Sequence, residues 1–112
     1  AEVDTANAVV SADQELNLPE NFELKQNYPN PFNPQTKIDF NLKADGYVKI
    51  GLYDLVGRKV LDVVDQRLEG GYHTVVLNAV GLTSGMYFYT LDIKDKIGTN
   101  IYNATKKMIL LK

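Results

Sequence analysis

MYFYTLDI, residues 86–93, is the most strongly β-prone run of this 112-residue chain. Aromatic and β-branched residues favour strands because their side chains pack well on a pleated surface. Successive side chains of a strand point to opposite faces, so Tyr87 and Tyr89 share one face and Phe88 takes the other. In a two-layer sandwich one of those faces belongs to the core. The run therefore predicts a strand that is buried on one face.

Strand patterns recur on both sides of this run, and turn residues at 44–46, 54–57 and 69–71 separate them. Apolar side chains alternate strictly over 36–42 and 47–53, which predicts one inward face on each segment. The residues expected to face inward are Ile38, Phe40, Leu42, Val48, Ile50 and Leu52. Further strand patterns cover 22–25, 58–65, 72–77 and 107–111.

The number and spacing of these segments indicate the fold class. Six or seven short strands with turn residues between them predict an all-β fold, an antiparallel sandwich of about seven strands. The polar residues 95–103 are predicted to form a loop or a long hairpin. After residue 16 no pattern predicts a helix longer than a turn.

Residues 27–34, NYPNPFNP, hold three of the four prolines in the chain. Each proline fixes its own φ and pushes the preceding residue into an extended conformation. Neither a helix nor a central strand accommodates such a segment. It predicts a stiff, irregular lead-in to the sandwich.

The charge of the chain is small but unevenly distributed. The formal net charge is −2 and the pI about 5.3, which gives no electrostatic case for a nucleic-acid or anionic-membrane partner. Residues 1–27 hold six acidic residues against one lysine, a net charge of −5, so the remainder carries +3. We expect 1–17 to be a flexible acidic linker from a missing passenger and 18–112 to be the folded domain.

A search for catalytic or ligand-binding chemistry gives little. The chain has no cysteine, and His73 is its only histidine, so thiolate sites and His-rich metal sites are excluded. The glycines form no phosphate-binding pattern, and the acids lack the dense spacing that calcium loops need. We therefore expect no enzyme activity, no metal, no cofactor and no small-molecule substrate. His73 is expected on the surface or rim of a sheet.

Five sequence blocks in order resemble the type A C-terminal sorting domains of the type IX (Por) secretion system. They are 27–36 (NYPNPFNPQT), 53–58 (YDLVGR), 71–73 (GYH), 82–89 (LTSGMYFY) and 106–112 (KKMILLK). The preceding residues 18–26 also resemble the usual lead-in of that family. The resemblance thus spans residues 18–112.

The resemblance implies a fold, a role and partners. The fold is an immunoglobulin-like sandwich, related to a domain of flagellar hook-capping proteins, at the C-terminus of a precursor. The role is to direct an N-terminal passenger through the outer membrane, so the protein is secreted or displayed on the cell surface. The implied partners are the outer-membrane secretion machinery and a sortase-like peptidase. That peptidase removes the domain and attaches the passenger to a surface glycolipid.

The same resemblance assigns residues to two groups. The sorting-signal candidates are Lys106, Lys107, Met108, Leu110, Leu111, Lys112, Gly85, Tyr87 and Tyr89. The structural-motif residues are Pro29, Asn30, Pro31, Phe32, Asn33, Pro34, Tyr53, Asp54, Gly57 and Arg58. Gly57 and Gly85 are expected at turns, and Tyr53 and Phe88 in the core.

The terminal strand is where a signal and a scaffold can be separated. Residues 108–111 alternate between two faces, so at least two of them should be core. Lys107 and Lys112 are expected to reach solvent. We therefore expect the lysines to carry the signal and the apolar residues to carry the fold.

Two other functions are compatible with the sequence. A non-catalytic carbohydrate-binding or adhesive module predicts an exposed row of aromatic side chains, for which the chain has seven tyrosines. A purely structural spacer predicts no dependence on the terminal residues.

Overall fold

The computed structural model describes residues 18–112, which contain seven β-strands and no helix. The expected linker, residues 1–17, lies outside the described residues. In chain order the strands are β1 (Glu23–Leu24), β2 (Gln35–Leu42), β3 (Gly46–Tyr53), β4 (Lys59–Leu68), β5 (Gly71–Asn78), β6 (Gly85–Lys94) and β7 (Asn100–Leu110). None of the described segments is a helix that could span a membrane.

The strands form two antiparallel sheets. One has three strands in the order β1-β2-β5, and the other has four in the order β4-β3-β6-β7. Every neighbouring pair of named strands is antiparallel. The predicted all-β antiparallel sandwich of about seven strands is therefore confirmed. In the four-stranded sheet β7 is an edge strand, and β6 is its only strand neighbour within residues 18–112.

The core lies between the two sheets, on the faces that the alternation predicted. All six residues expected to face inward from 36–42 and 47–53 are at most 1% exposed. Burying an aliphatic side chain of this size stabilises a fold by about 1.5–3 kcal/mol. Leu91 and Ile93 of β6 and Leu110 of β7 complete the side of the four-stranded sheet.

The expected burial of Phe88 and Tyr53 is wrong. Tyr87 and Tyr89 face the core, and the other two rings are half-buried on the outer face of the four-stranded sheet. The residues that follow along β6 explain which face is buried. Leu91 shares the face of Tyr89, whereas the polar Thr90 and Asp92 share the face of Phe88. Burying the tyrosine face places four large apolar side chains inside.

Residues 95–103, predicted to form a loop or a long hairpin, lie in the long hairpin of β6 and β7, and the loop itself is shorter than that range. The connection covers only residues 95–99, and β7 begins at Asn100. The carboxylate of Asp95 accepts hydrogen bonds from the backbone N–H groups of Ile97 and Thr99, at 3.1 and 2.9 Å. Gly98 has a φ of 86°, which suits glycine. The polar composition of 100–105 reflects an edge strand that faces solvent.

Candidate functional site

The second half of β7 alternates between fully buried side chains and more exposed ones. Met108 and Leu110 are fully buried, and Lys107 is exposed. Lys106 is half-buried at the sheet edge. Beyond the strand, Leu111 and Lys112 are exposed. The predicted solvent exposure of both Lys107 and Lys112 is therefore confirmed.

The open edge of β7 is covered near its end by residues 26–34, which we name the proline segment. The backbone N–H of Phe32 donates to the carbonyl of Ile109, and the N–H of Leu111 donates to the carbonyl of Phe32, both at 3.0 Å. These two bonds form a short parallel bridge between Phe32 and Leu110. The Phe32 ring is 3% exposed and belongs to the core.

Two side chains of the proline segment extend this contact along β7. The Asn30 carbonyl oxygen Oδ1 accepts from the N–H of Ile109 at 2.9 Å. The Gln26 amide Nε2 donates to the carbonyl of Lys107 at 2.6 Å. The lead-in therefore holds the terminal strand and does more than stiffen the chain.

A buried polar network ties the same segment to β6. The Tyr89 hydroxyl accepts from the N–H of Asn27 and donates to the carbonyl of Lys25, each at 2.8 Å. The Asn27 side chain, in a residue only 1% exposed, donates to the Thr36 hydroxyl at 2.9 Å. That hydroxyl donates to the carbonyl of Pro29 at 2.9 Å. Burial raises the pKa of Tyr89 to about 12, although the bond from the Asn27 amide opposes the shift.

Residues 79–84, the connection before β6, hold Lys112 through hydrogen bonds. The N–H of Lys112 donates to the Ser84 hydroxyl, and its ammonium group donates to the carbonyl of Val80, both at 3.0 Å. Gly85 has a φ of 152°, and an added Cβ would meet no atom within 4 Å. Glycine is therefore favoured there by the backbone conformation and not by lack of space.

The β3–β4 turn is organised by Asp54. One carboxylate oxygen accepts from the N–H groups of Val56 and Arg58, and the other from the Arg58 guanidinium, all at 3.0 Å. The bond from the Arg58 N–H is the main reason why the pKa of Asp54 lies below its usual value. Gly57 has a φ of 87°, so its predicted place in the turn is confirmed. A shallow cleft of about 310 Å³ separates this turn from residues 83–87.

The family model described as "Secretion system C-terminal sorting domain" matches residues 26–111. The chain belongs to this family. A comparison with curated proteins finds no match. The match runs from the start of the proline segment to the end of β7, so it includes every contact on the terminal strand described above.

Family membership determines the role. The chain is a C-terminal sorting signal of the type IX secretion system, which directs a passenger through the outer membrane. The passenger is thereby secreted or displayed on the cell surface. Such a domain interacts with the secretion machinery and is not itself catalytic.

Four of the five sequence blocks meet at one end of this sorting domain. The blocks at 27–36, 53–58, 82–89 and 106–112 surround the C-terminus. The block at 71–73 lies at the opposite end, where His73 stacks on Phe40 with ring centroids 5.3 Å apart. The His73 Nε2 lies 2.7 Å from the carbonyl of Glu69 and donates to it.

The predicted structural-motif residues differ in what they contact. Pro29 and Pro34 each accept a hydrogen bond through their carbonyl oxygens, from Thr36 and from Ala79 respectively. Pro31 and Asn33 are exposed. Gln26, Asn27 and Ser84 hold the terminal strand or its cover but were not among the predicted site residues.

The exposed tyrosines among the described residues do not form the row that a carbohydrate-binding module predicts, and the neighbouring rings of Tyr53 and Phe88 are half-buried. Tyr87 is 7% exposed and Tyr89 is fully buried. Tyr28 and Tyr72 lie at different levels of the three-stranded sheet, opposite residues 37 and 41. Tyr47 lies on the other sheet. Residues 18–112 also hold no group of three carboxylate or histidine side chains that could bind a metal.

Proposed function

We propose that the machinery reads the sorting signal at the end of β7, and that Lys106 and Lys107 are its main chemical determinants. One observation supports this most directly. The proline segment and the connection before β6 both form hydrogen bonds to residues 107–112. Elements distant in sequence thus serve to present the same short terminal stretch.

The terminal residues divide into scaffold and signal. Met108 and Leu110 are fully buried, so their substitution destabilises the fold before it alters recognition. Lys112 has a structural part as well, because its ammonium group binds the carbonyl of Val80. Lys107 and Lys106 have no described hydrogen bond or ion pair through their ammonium groups in the part of the chain that the structure covers. Their charge is available to a partner.

A matched pair of double variants tests this assignment. Residues 1–112 are fused behind a reporter that carries a periplasmic export signal, in a host with the secretion system. We expect Lys106→Gln with Lys107→Gln to trap the reporter in the periplasm, with the melting temperature nearly unchanged. Lys94→Gln with Lys96→Gln removes two exposed lysines at the opposite end of the sheet and should leave export normal. Normal export of the first variant would contradict the proposal.

We also propose that residues 1–17 join the domain to its passenger, and that a sortase-like peptidase cuts within them. A cut before Leu18 leaves all of residues 18–112 in the domain, and Pro19 is the first of these described residues with a buried side chain. The intact mass of the domain released by secreting cells tests this. A new N-terminus within 1–17 supports the proposal. A surface-attached fusion that keeps residues 1–112, or a cut inside the strands, contradicts it.

Finally, we propose that the domain has no enzymatic activity of its own. The imidazole of His73 is held in place by its hydrogen bond to the Glu69 carbonyl and by its stacking on the Phe40 ring. The purified domain should turn over no chromogenic ester, peptide or glycoside. Turnover that His73→Ala abolishes would contradict this.

A further inference from the structure

The outer face of the four-stranded sheet carries a row of four side chains, one from each strand. The register places Tyr53 opposite Phe88, with Lys107 beyond Phe88 on β7. Lys59 of β4 stands opposite Tyr53 on the other side. Two aromatic side chains therefore occupy the middle of the row and two lysines its ends. We name these four residues the aromatic row.

The local backbone makes room for the row. A Cβ added to Gly51 would lie 3.0 Å from Tyr53 Cε1 and 3.2 Å from Cζ. The Tyr53 ring therefore lies flat along the sheet, over the glycine. This placement spreads the ring across the outer face, where Tyr53 is half-buried.

Apolar residues extend the row toward the C-terminus. Met86, 37% exposed, stands opposite the half-buried Ile109, and Leu111 beyond them is 55% exposed. The other half of the same face is polar, with the pair Thr90–Thr105 joined by their hydroxyls at 2.9 Å. An outer sheet face is normally polar, so an apolar area confined to one end indicates a contact surface.

Positive charge is concentrated around this apolar area. Residues 50–63, 85–90 and 104–112 together contain five cationic side chains and two carboxylates, a net charge of +3. Both carboxylates are already engaged, Asp54 with Arg58 and Asp62 with Lys59. Residues 18–45 and 69–84, which include the three-stranded sheet, carry −2. The two sheets therefore offer a partner opposite charges.

We propose that the aromatic row together with Met86 and Ile109 is the surface that docks on the secretion machinery. The partner surface presents carboxylates around an apolar recess. The recess covers Phe88 and Met86, and the carboxylates approach Lys107. This inference rests on the proposed function and deepens it, since it names the face that is read and the chemistry of its reader.

The tests below distinguish this partner from two other occupants. The acidic residues of 1–17 have the charge to cover the same surface within one chain. A second copy of the domain could bring its own apolar end against it. Neither explains why the apolar area adjoins Lys107, whereas a partner that reads the chain end contacts both at once.

The first test removes the apolar contact without touching the core. The reporter fusion carries Phe88→Thr with Met86→Thr, since threonine retains strand propensity. We expect export to fall about tenfold, as truncation of interface anchors commonly does. The matched control is Tyr72→Thr with Val76→Thr, which removes an aromatic and an aliphatic residue, 66% and 55% exposed, from the other sheet. The control should export normally.

The second test varies only the charge at position 107, so folding is not at stake. An acidic reader predicts that Lys107→Arg exports normally, that Lys107→Gln exports less, and that Lys107→Glu exports least. An exposed ion pair is worth up to about fivefold in affinity, and charge reversal should exceed that effect. Equal export of the Gln and Glu variants would overturn the acidic partner.

The third test identifies the occupant in secreting cells. A photo-crosslinking amino acid replaces Met86 in one fusion and Val76 in another. We expect a product with an outer-membrane component of the secretion system from position 86 and none from position 76. Products joined to the same chain or to a second copy, or no product at position 86, would overturn the docking surface.

These outcomes separate the two proposals. Normal export of the Lys106/Lys107 double variant overturns the proposed signal. If that variant fails while a folded Phe88/Met86 variant exports normally, only the docking surface is wrong.

Discussion

Tyr89 connects three parts of the fold through one hydroxyl group. It lies on β6, accepts from the N–H of Asn27 and donates to the carbonyl of Lys25. A hydroxyl that satisfies two buried backbone groups is costly to remove, because both groups are left without a partner. The tyrosine is thus a scaffold residue, although it belongs to a block that marks the family.

Tyr89→Phe should therefore destabilise the domain by about 1–3 kcal/mol. The measurement is urea unfolding at neutral pH. Tyr47→Phe is the matched control, because the Tyr47 hydroxyl donates to Asp65 at an exposed position. Its effect should stay within about 0.5 kcal/mol. Equal destabilisation by both variants would show that the buried network contributes no more to the free energy of unfolding than an exposed hydrogen bond does.

The raised pKa of Tyr89 predicts an alkaline limit to stability. Burial raises this pKa from 10.0 to about 12, so between these pH values the unfolded chain loses the proton and the folded chain keeps it. Stability is then fully present below pH 10 and is lost as pH rises through about 12. Unfolding titrations from pH 8 upward should show a steeper loss for the wild type than for Tyr89→Phe. Parallel curves would contradict the assignment.

A comparison of Gly85 with Gly81 distinguishes two reasons for a glycine, namely its backbone conformation and the lack of space for a side chain. Neither has an atom within 4 Å of an added Cβ, but only Gly85 has a φ in the region that favours glycine, at 152°. Gly85→Ala should cost about 1–3 kcal/mol. Gly81→Ala should be neutral or slightly stabilising, because alanine restricts the unfolded chain. Thermal unfolding measures both, and a tolerated Gly85→Ala would remove the structural explanation for this residue.

At the scale of elements, the proline segment acts as a partial neighbour for β7. It covers residues 107–111, where hydrogen bonds from Gln26, Asn30 and Phe32 meet the strand edge. Along the remaining edge of β7, toward Asn100, none of the seven described strands lies beside it. The signal therefore lies on the protected half of an otherwise open edge.

Amide hydrogen exchange tests this cover directly. Asn30→Ala removes the acceptor of the Ile109 N–H, so exchange at Ile109 should accelerate about 2- to 10-fold. Asn33→Ala is the control, since Asn33 lies in the same segment and is exposed. It should leave Ile109 unchanged. Equal acceleration by both variants would show that the segment loosens as a whole and that Asn30 has no specific part.

The elements also show what the sequence could predict. The strict alternation of β2 and β3 identified their core faces, because each has polar residues on the other face. In β6 the consecutive rings concealed the parity, which Thr90 and Asp92 on the face of Phe88 could have revealed. The start of β7 was missed because an edge strand exposes one face and one backbone edge, and its polar residues are typical of a loop.

The contacts of the proline segment could not be predicted at all. Local sequence identifies extended, proline-rich chain, but the partner of that chain lies about 80 residues away in the hydrogen bonds of Gln26 and Asn30. Such pairings depend on the closure of the whole sandwich. The family resemblance located the site, and only the structure showed how it is held.

For the whole molecule, the two ends of the sandwich differ in what they offer a partner. One end gathers the C-terminus, the β3–β4 turn, the connection before β6 and the proline segment. The other holds the short turns between β2 and β3 and between β6 and β7. A sorting domain that is recognised at the end holding the C-terminus can accept substitutions at the opposite end, as long as the sandwich folds.

The most direct measurement is the location of a reporter fused to residues 1–112 and supplied with a periplasmic export signal. It is compared in a strain with the type IX system and in one without it. We expect the reporter outside the outer membrane in the strain with the type IX system, and in the periplasm in the strain without it. Folded fusion that stays in the periplasm of both strains would contradict the central claim.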